Sequence, residues 1–230
     1  MIKDSRNLLE RPLYSYADSD HLAQLSAGTS RRWLAGYSYR QTDGAAVSRP
    51  PVTPHPQIQM EGVSFVDLVE LVAIGGLKNM GFSLLRIRRI VANCQELMGV
   101  ARPLASLRFQ TDAREIFVHK DGQLIEVLGK RGRQAWYEVL EPFLQTLDYE
   151  RKLALACRWW PLGKDIPIVV DPNYGYGFPV IRNSGVRTEI ILERFQAGEL
   201  EEQIAEDFNV DRIDVERALQ FELSRVRPAA

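Results

Sequence analysis

The chain has 230 residues, of which 45% are hydrophobic and 26% are charged, with a formal net charge of −1. This length allows one large core or two or three small ones. The longest apolar run, Leu71 to Leu77, is interrupted by glycines and far too short for a bilayer, which excludes a transmembrane span. Only Cys94 and Cys157 are present, which favours a reducing cytoplasm over a disulfide framework.

The small net charge conceals an uneven distribution. Residues 1–60 carry 7 basic and 5 acidic groups, whereas residues 171–230 carry 7 basic and 12 acidic groups. This asymmetry favours an N-terminal part that faces phosphate and a C-terminal part that meets a different partner.

Residues 14–36 predict two short helices joined by a tight turn. Asp18 is expected to cap the first helix. Gly28 allows a positive φ in the turn, and Thr29 or Ser30 is expected to cap the second helix, which ends before the next glycine. Two helices with a small-residue turn and exposed cations are the helix-turn-helix pattern.

Residues 37–60 are rich in Pro, Gly, Ser and Thr and predict a loop or wing instead of a helix. Ser64, with Asp67 three residues later, predicts the capped start of a longer helix, and Ser83 predicts the start of the next one. The polar face of that last helix carries three secondary candidates for phosphate contact, Arg86, Arg88 and Arg89.

Beyond Pro103 the hydrophobic period changes from helical to strand-like. Strands are predicted at 107–111, 115–119, 123–128, 153–159 and 166–170. An amphipathic helix over 136–147 is predicted to bend at Pro142. The last sixty residues predict a turn-rich arm and a second helix-turn-helix-like bundle of three helices. These helices cover 189–197, 200–208 and 214–226.

The sequence contains no arrangement typical of a catalytic or metal site. His21, His55 and His119 are far apart and lack cysteines or carboxylates at metal-ligand spacing. Neither cysteine lies in the electropositive, glycine-rich setting of a nucleophile. We therefore expect no enzymatic activity and no metal or cofactor.

Two segments resemble known families. Residues 14–100 resemble the MerR-type winged helix of VapB-type antitoxins, on the stretches YADSDHLAQLS, TSRRWLAGYSYR, VSFVDLVELV and GFSLLRIRRI. Residues 168–222 resemble the small domain known as "domain of unknown function 433", on FPVIRNSGVRT, IILERFQAGELEEQIAEDFNV and IDVERALQFE. The second domain is common in toxin–antitoxin operons, and the two segments occur in the order of that antitoxin subgroup.

One stretch departs from the pattern of the second family. Where that family usually has Gly-Thr-Arg-Val-Pro-Thr, residues 183–188 of this chain are NSGVRT, which puts Gly185 at the usual arginine position. Arg182 and Arg187 are the candidates to replace that arginine.

The resemblance implies an α+β protein with three domains. A MerR-like winged helix-turn-helix DNA-binding domain would cover 1–103, and an α+β middle domain of β-hairpin and helix would cover 104–170. A small helical, helix-turn-helix-like domain for toxin binding or dimerisation would cover 171–230.

By resemblance, the protein is expected to be the cytoplasmic antitoxin of a type II toxin–antitoxin module. It would neutralise a PIN-like ribonuclease toxin and repress its own operon by binding operator DNA, as a homodimer or within a toxin–antitoxin hetero-oligomer, away from membranes. PIN-like toxins coordinate magnesium with their own acidic residues, so the antitoxin itself needs no metal.

If residues 29–37 form the recognition helix, Arg31 or Arg32 is expected to read guanine O6 and N7 in the major groove. Trp33 is expected to lie in the core. The other candidates contact the phosphate backbone from the helix start and from the start of the wing. These candidates are Thr29, Ser30, Tyr37, Tyr39 and Arg40.

Toxin binding is assigned to residues 171–230, where the candidate contacts are Arg182, Arg187, Arg194 and Phe195. The middle domain is a competing interface, with Trp159 and Trp160 as its exposed candidates. A function of another class stays open, in which the protein is a ligand-responsive MerR-like regulator without a toxin. Its effector would lie among five aromatic residues, Trp136, Tyr137, Phe143, Trp159 and Trp160.

Overall fold

The computed structural model describes residues 8–42, 44–53, 62–110 and 136–225. These residues form helices and short two-stranded sheets, which confirms the α+β class. The chain divides into two compact units, Met1–Leu144 with Tyr149–Ala156, and Gln145–Asp148 with Cys157–Ala230. The division into three domains stays a prediction.

The first unit begins with a helix-turn-helix and a hairpin. Its N-terminal elements are β1 (Pro12–Tyr14), α1 (Tyr16–Leu22), α2 (Thr29–Ala35), β2 (Tyr37–Arg40) and β3 (Ala46–Arg49). They are followed by β4 (Val63–Ser64), α3 (Phe65–Asn79) and α4 (Leu84–Met98). Strand β1 pairs antiparallel with β4, and β2 pairs antiparallel with β3, so the predicted wing is a hairpin.

The cap of α1 differs from the sequence-based expectation. Ser15, not Asp18, is the N-cap residue, and its Oγ accepts a hydrogen bond of 3.0 Å from the backbone N–H of Asp18. The carboxylate of Asp18 accepts the N–H of Ser15 in return, at 2.9 Å. This reciprocal pair is a capping box, in which the acidic residue stands three positions inside the helix.

The backbone N–H groups at the start of α2 are hydrogen-bonded by a side chain from outside the helix. Gly28 is the N-cap residue, with φ of 73°, and it supplies no side-chain cap. The carboxylate of Asp20 in α1 accepts the N–H groups of Gly28 and Ser30 at 2.6 and 2.7 Å. The expectation that Thr29 or Ser30 caps this helix is therefore wrong, because an acidic side chain from the preceding helix has replaced the local cap.

Helix α3 is the centre of the first core. The capping box of Ser64 and Asp67 is confirmed, and most of the helix is buried. Gly76 touches the segment that precedes α5 (Glu141–Gln145): a Cβ at this position would lie 2.5 Å from Cγ1 of Val139. The glycine weakens the helix but allows this close approach.

Both cysteines are free thiols, as a packing role requires. Cys94 is buried in α4, and burial raises the pKa of its thiol to about 12. A neutral buried thiol behaves as a small apolar side chain.

A buried cluster of charges holds the end of the wing segment and the chain after α4 against α3. Arg102 pairs with both Asp67 and Glu70, with 3.3 Å between its Nη1 and Oε2 of Glu70. Thr53 donates a hydrogen bond to the same carboxylate oxygen. Burial, opposed by the charge of Arg102, raises the pKa of Glu70 above its usual value. The carboxylate of Glu70 therefore costs folding free energy when it is ionised.

Replacing Glu70 by glutamine is expected to change the pH dependence of stability. Because the pKa of Glu70 is higher in the folded than in the unfolded chain, the stability that its protonation contributes is complete below pH 4.5 and is lost as the pH rises through the folded pKa. The glutamine variant lacks this loss. Urea unfolding between pH 4.5 and 8 should show the difference, while Glu193→Gln, on an exposed position, should match the wild type. Parallel pH curves for the wild type and Glu70→Gln would contradict the assignment.

Part of the predicted middle region differs in the structure. Residues 107–110 are helical, not extended, and Oγ of Ser106 accepts the N–H of Phe109 at 3.1 Å, so a local cap outcompetes the alternating pattern. The strands predicted at 115–119 and 123–128 lie outside the described residues. The helix predicted over 136–147 is a π-helical turn followed by α5. Pro142 lies in the first turn of α5, where it has no backbone N–H to donate.

The second unit contains short strands and a three-helix bundle. Its elements are β7 (Ile168–Val169), β8 (Val180–Ile181), α6 (Thr188–Gln196), α7 (Glu201–Phe208) and α8 (Arg212–Leu223). The strands β5 (Leu147–Glu150) and β6 (Leu155–Trp159) include residues of both units and pair with each other. The three predicted C-terminal helices are confirmed. They enclose a core of aliphatic side chains together with Phe221.

None of the described helices is both long and apolar enough to cross a membrane.

Candidate nucleic-acid interface

Helix α2 has one buried face and one cationic face. Trp33 and Leu34 are buried, which confirms the prediction that Trp33 belongs to the core. Arg31 and Arg32 are exposed. Two adjacent arginines therefore point away from the core on the second helix of the helix-turn-helix, where a recognition helix presents its base-reading side chains.

Each of these arginines has one weak partner that orients it. Nη2 of Arg32 donates to Oγ1 of Thr29 at 3.0 Å, and the guanidinium carbon of Arg31 lies 5.9 Å from the centre of the Tyr16 ring. Neither arginine forms an ion pair with another described residue. Both cations therefore remain available to a polyanion.

Thr29 and Ser30 are placed on the inner side of the helix start. Ser30 is fully buried, and its Oγ donates to the backbone carbonyl of Tyr16 at 3.0 Å. Thr29 is also buried. The burial of Ser30 corrects its assignment as a phosphate contact, whereas the assignment of Thr29, whose hydroxyl accepts from the exposed Arg32, stays a prediction.

The wing is tied closely to the end of α2. Gly36 has φ of 73°, and a Cβ there would lie 2.6 Å from the carbonyl oxygen of Arg49 on the second wing strand. Beyond the wing, the N–H of Val52 donates to the carbonyl of Trp33 at 2.7 Å. The glycine thus ends the helix and also allows the wing to lie against it.

The two wing faces carry different chemistry. Tyr37 and Tyr39 are exposed on one face and stack at 6.1 Å between ring centres. Ser38 and Ser48 are paired across the other face, with Arg40 two residues beyond Ser38. All of these side chains are exposed, so the structure brings the wing candidates together on one solvent-facing hairpin.

The arginines of α4 separate into different roles. Arg88 donates to the carbonyls of Pro50 and Pro51, at 2.7 Å from its Nη2 to Pro50. Its guanidinium anchors the end of the wing, which the sequence pattern did not reveal. Arg86 lies over the ring of Phe82 at 4.9 Å, and Arg89 is exposed.

The second unit contains a cavity of about 320 Å³ beside β7 and β8. Arg182 is exposed at this cavity and lies over the Trp160 ring at 5.2 Å, and Arg158 lies near the same ring at 5.8 Å. Arg158 is neutralised by Asp148 and Asp171, whereas Arg182 has no ion-pair partner among the described residues. The cavity is lined by Arg158, Val169, Asp171, Asn173, Tyr174 and Arg182.

The other partner-binding candidates differ in their availability. Arg194 is engaged with Glu199 and Asp207, and the hydrogen bond to Glu199 raises the pKa of Arg194 above its usual value. Arg187 pairs with Glu189 at 2.7 Å and lies over an aromatic ring. Phe195 is exposed. The structure therefore leaves Arg182 and Phe195 as the exposed candidates, whereas Arg194 is engaged in ion pairs on the surface of the bundle, and the assignment of all four to toxin binding stays a prediction.

The tryptophans assigned to a competing interface are in the core. Trp159 and Trp160 are buried, and Nε1 of Trp160 donates to Asp148 at 2.8 Å. This corrects their assignment as exposed candidates. Of the other residues in the predicted effector set, Phe143 is half-buried, and the side chains of Trp136 and Tyr137 lie outside what the structure describes.

Within the described ranges, no three or more His, Cys, Asp or Glu side chains form a group suited to a metal ion. Two of the three histidines, His55 and His119, lie outside those ranges.

Two family models match this chain. Residues 12–91 match the family described as "Putative DNA-binding HTH domain", which covers the helix-turn-helix, the wing and the helix that starts at Ser64. Residues 168–221 match the family described as "Protein of unknown function (DUF433)", which covers β7 to α8.

Relatives from Mycobacterium tuberculosis align along most of the chain. A protein named "Putative antitoxin VapB45" is 28% identical over 214 residues, covering 86% of this chain and 89% of the relative. "Uncharacterized protein Rv2308" is 24% identical, covering 94% and 92%. The crystal structure of Rv2018 has a TM-score of 0.64 at 23% identity, covers 90% of this chain and 97% of its own, and supports the fold alone. The chain is thus a homologue of the protein named "Putative antitoxin VapB45", with an N-terminal helix-turn-helix domain that matches the family "Putative DNA-binding HTH domain" and a C-terminal DUF433 domain.

Proposed function

We propose that the protein is the antitoxin of a type II toxin–antitoxin module. It binds operator DNA through the helix-turn-helix and neutralises a PIN-like ribonuclease toxin through its C-terminal unit. The observation that carries the proposal is the exposed cationic face of α2 beside an exposed wing, in a homologue of a protein named as an antitoxin.

The geometry suggests how DNA is read. Helix α2 enters the major groove, where Arg31 or Arg32 donates two hydrogen bonds to guanine O6 and N7. The wing lies along the adjacent backbone, and Tyr37, Tyr39 and Arg40 donate to phosphates. Arg88 ties the end of the wing to α4, and the N–H of Val52 donates to the carbonyl of Trp33 in α2, so the wing is held beside α2 where both can reach the duplex.

The C-terminal bundle has the wrong charge for DNA. Arg212, at the start of α8, is surrounded by Glu201, Glu202 and Glu216, and its hydrogen bond to Glu201 raises the pKa of its guanidinium. With 12 acidic groups against 7 basic ones in residues 171–230, the bundle repels a phosphate backbone. An acidic surface instead complements the basic RNA groove of a ribonuclease.

Within that acidic unit, Arg182 is the cation that reaches the toxin. Its guanidinium is exposed at the cavity and can pair bidentately with the carboxylates that a PIN-like toxin uses for its metal. The antitoxin acts in the cytoplasm by occupying the toxin's site, without catalysis and without a cofactor of its own.

Co-expression with the adjacent reading frame tests the proposal. The neighbouring product alone should arrest growth, and this chain should restore growth and co-purify with it. Growth without arrest and absence of a complex would refute the antitoxin function.

Replacing Arg182 by alanine is expected to weaken toxin retention by at least about tenfold, because a charge-assisted bidentate contact is lost. Co-purification and growth rescue measure this. Arg151→Ala removes an exposed arginine from the β5–β6 turn and serves as the matched control. Equal retention by Arg182→Ala and Arg151→Ala would remove Arg182 from the interface.

The cavity beside β7 and β8 favours one second candidate, a ligand-responsive DNA-binding regulator. A volume of about 320 Å³ suits a small molecule, and its lining offers a guanidinium and an amide. Measuring operator affinity with and without an effector distinguishes the two functions. An effector-dependent change of operator affinity without any toxic neighbour would favour the regulator.

A further inference from the structure

The polar groups that line the cavity beside β7 and β8 are mostly paired with each other. All six lining residues belong to the second unit. Oδ2 of Asp171 accepts from Nε of Arg158 at 2.8 Å and lies 2.8 Å from its Nη2. Oδ1 of Asp171 accepts the backbone N–H of Asn173 at 2.8 Å and its side-chain amide at 3.2 Å. A carboxylate has about four lone-pair positions, so Asp171 has none left for a ligand.

The charges at the cavity leave one positive charge without a partner. Arg158 is shared between Asp171 and Asp148, with 3.4 Å between its Nη1 and Oδ2 of Asp148. Asp148 also pairs with Lys164 at 2.7 Å, so two cations balance two carboxylates. Arg182 lines the same cavity and has no ion pair with another described residue. A ligand in the cavity therefore meets one net positive charge.

Arg182 is held in place before any ligand binds. Its backbone N–H donates to the carbonyl of Pro167 at 2.8 Å, and its guanidinium carbon lies 5.2 Å from the centre of the Trp160 ring. The indole of Trp160 is buried and is itself fixed by its hydrogen bond of 2.8 Å to Asp148. A cation above a fixed aromatic ring loses less rotamer freedom when it binds a ligand.

Tyr174 adds a second donor and an apolar wall. Its side chain lines the cavity and is 41% exposed. Its Oη has no hydrogen bond with another described residue, and it lies 3.1 Å from the point that a Cβ on Gly185 would occupy. Because Gly185 has φ of 75° and no side chain, the phenol can lie against the turn that contains Arg182. The two donors therefore line one cavity from different segments of the chain.

We propose that this cavity is a binding site for a small organic monocarboxylate. The two carboxylate oxygens of the ligand accept a pair of parallel hydrogen bonds from the guanidinium of Arg182, and one of them also accepts from Oη of Tyr174. The body of the ligand lies against the tyrosine ring and Val169. The volume of about 320 Å³ is at the lower end of the range for small-molecule sites, about 300–1,000 Å³.

The net charge distinguishes this class from other ligands. A phosphate monoester carries about −1.5 to −2 charges at pH 7 and would need a second cation, whereas Arg158 is already balanced by two carboxylates. A cationic ligand would meet the charge of Arg182 and find no acceptor left on Asp171. A neutral ligand would lack the charge-assisted hydrogen bonds, which are the stronger ones.

The site has a consequence for the proposed function. Arg182 is assigned there to a carboxylate of the toxin, so a small carboxylate in the cavity competes with the toxin for the same guanidinium. This competition rests on the proposed function, whereas binding of the small carboxylate to the chain does not.

Titration of the full chain with matched probes tests the site. Acetate, benzoate, benzamide and phenyl phosphate are added at constant ionic strength, and the indole N–H signals are followed by NMR, because the guanidinium of Arg182 lies over Trp160. Benzoate should bind saturably and at least about tenfold more tightly than benzamide or phenyl phosphate. No saturable binding of acetate and benzoate up to about 50 mM, or tighter binding of phenyl phosphate, would overturn the proposal.

Substitutions locate the binding within the cavity. Arg182→Ala should weaken benzoate binding at least about tenfold, and Tyr174→Phe, which removes only the hydroxyl, should weaken it about three- to tenfold. Arg182→Lys retains the charge without the planar fork and should also bind benzoate more weakly than the wild type. Arg151→Ala removes an exposed arginine elsewhere and should bind as the wild type does. Equal benzoate affinity in Arg182→Ala and Arg151→Ala would overturn the proposal.

A competition experiment separates this site from the proposed function. Benzoate, but not benzamide, should release the co-expressed partner from the immobilised chain. If the partner forms no complex, the antitoxin function fails while the titration still decides the ligand site. Retention of the partner at saturating benzoate would overturn the shared use of Arg182.

Discussion

Replacing both Arg31 and Arg32 by alanine is expected to weaken binding to a promoter fragment by about 5- to 150-fold. One good bidentate contact to guanine contributes about 1–3 kcal/mol, and each 1.4 kcal/mol is a factor of ten. Both side chains are exposed on α2 without an ion pair, so their removal costs binding and leaves the core unchanged. Fluorescence anisotropy at one fixed salt concentration measures the loss.

Two controls separate base reading from general charge. Arg151→Ala removes one exposed positive charge elsewhere and should leave the affinity within a few-fold of the wild type. Arg40→Ala, on the wing, should instead reduce the salt dependence of binding on all sequences, as the loss of a phosphate contact does. Unchanged promoter affinity in the double variant would exclude α2 as the recognition helix.

Replacing Arg102 by methionine is expected to destabilise the folded chain by about 3–5 kcal/mol, because it leaves the carboxylates of Asp67 and Glu70 buried without their cation. Both carboxylates are fully buried, and Arg102 is 6% exposed. Urea unfolding followed by circular dichroism measures the difference. The loss should be smaller at low pH, where the carboxylates take up protons.

The matched substitution Arg151→Met removes an exposed arginine and should change stability by less than about 0.5 kcal/mol. A loss of less than about 1 kcal/mol for Arg102→Met would show that water reaches the cluster, and that Arg102 is not required to hold the wing segment against α3.

Local patterns in the sequence determined most of the N-terminal elements. The Ser64–Asp67 capping box, the end of α2 at Gly36 and the inward side of Trp33 each depend on residues within one or two turns of each other. Such signals are readable because backbone caps and helical periodicity act over three or four residues. The wing followed in the same way from its proline- and glycine-rich composition.

Tertiary structure decided which polar side chains remain available. Asp20 replaces the expected local cap of α2, and Arg88 binds wing carbonyls 37 and 38 positions away. The hydroxyl of Ser30 donates to a backbone carbonyl of the preceding helix, and Arg194 forms an ion pair within its own bundle. Sequence spacing could not predict these partners, because only the packing of the helices brings them together.

The sequence by itself therefore determined the helix-turn-helix, the wing and the C-terminal bundle, since local propensity and period specify such elements. Only the folded chain decided that Arg31 and Arg32 are exposed and without an ion pair, whereas Arg88 binds backbone carbonyls and Arg102 is buried in a charge cluster. The physical reason is that a charged side chain keeps or loses its availability according to burial and to partners that are distant in sequence.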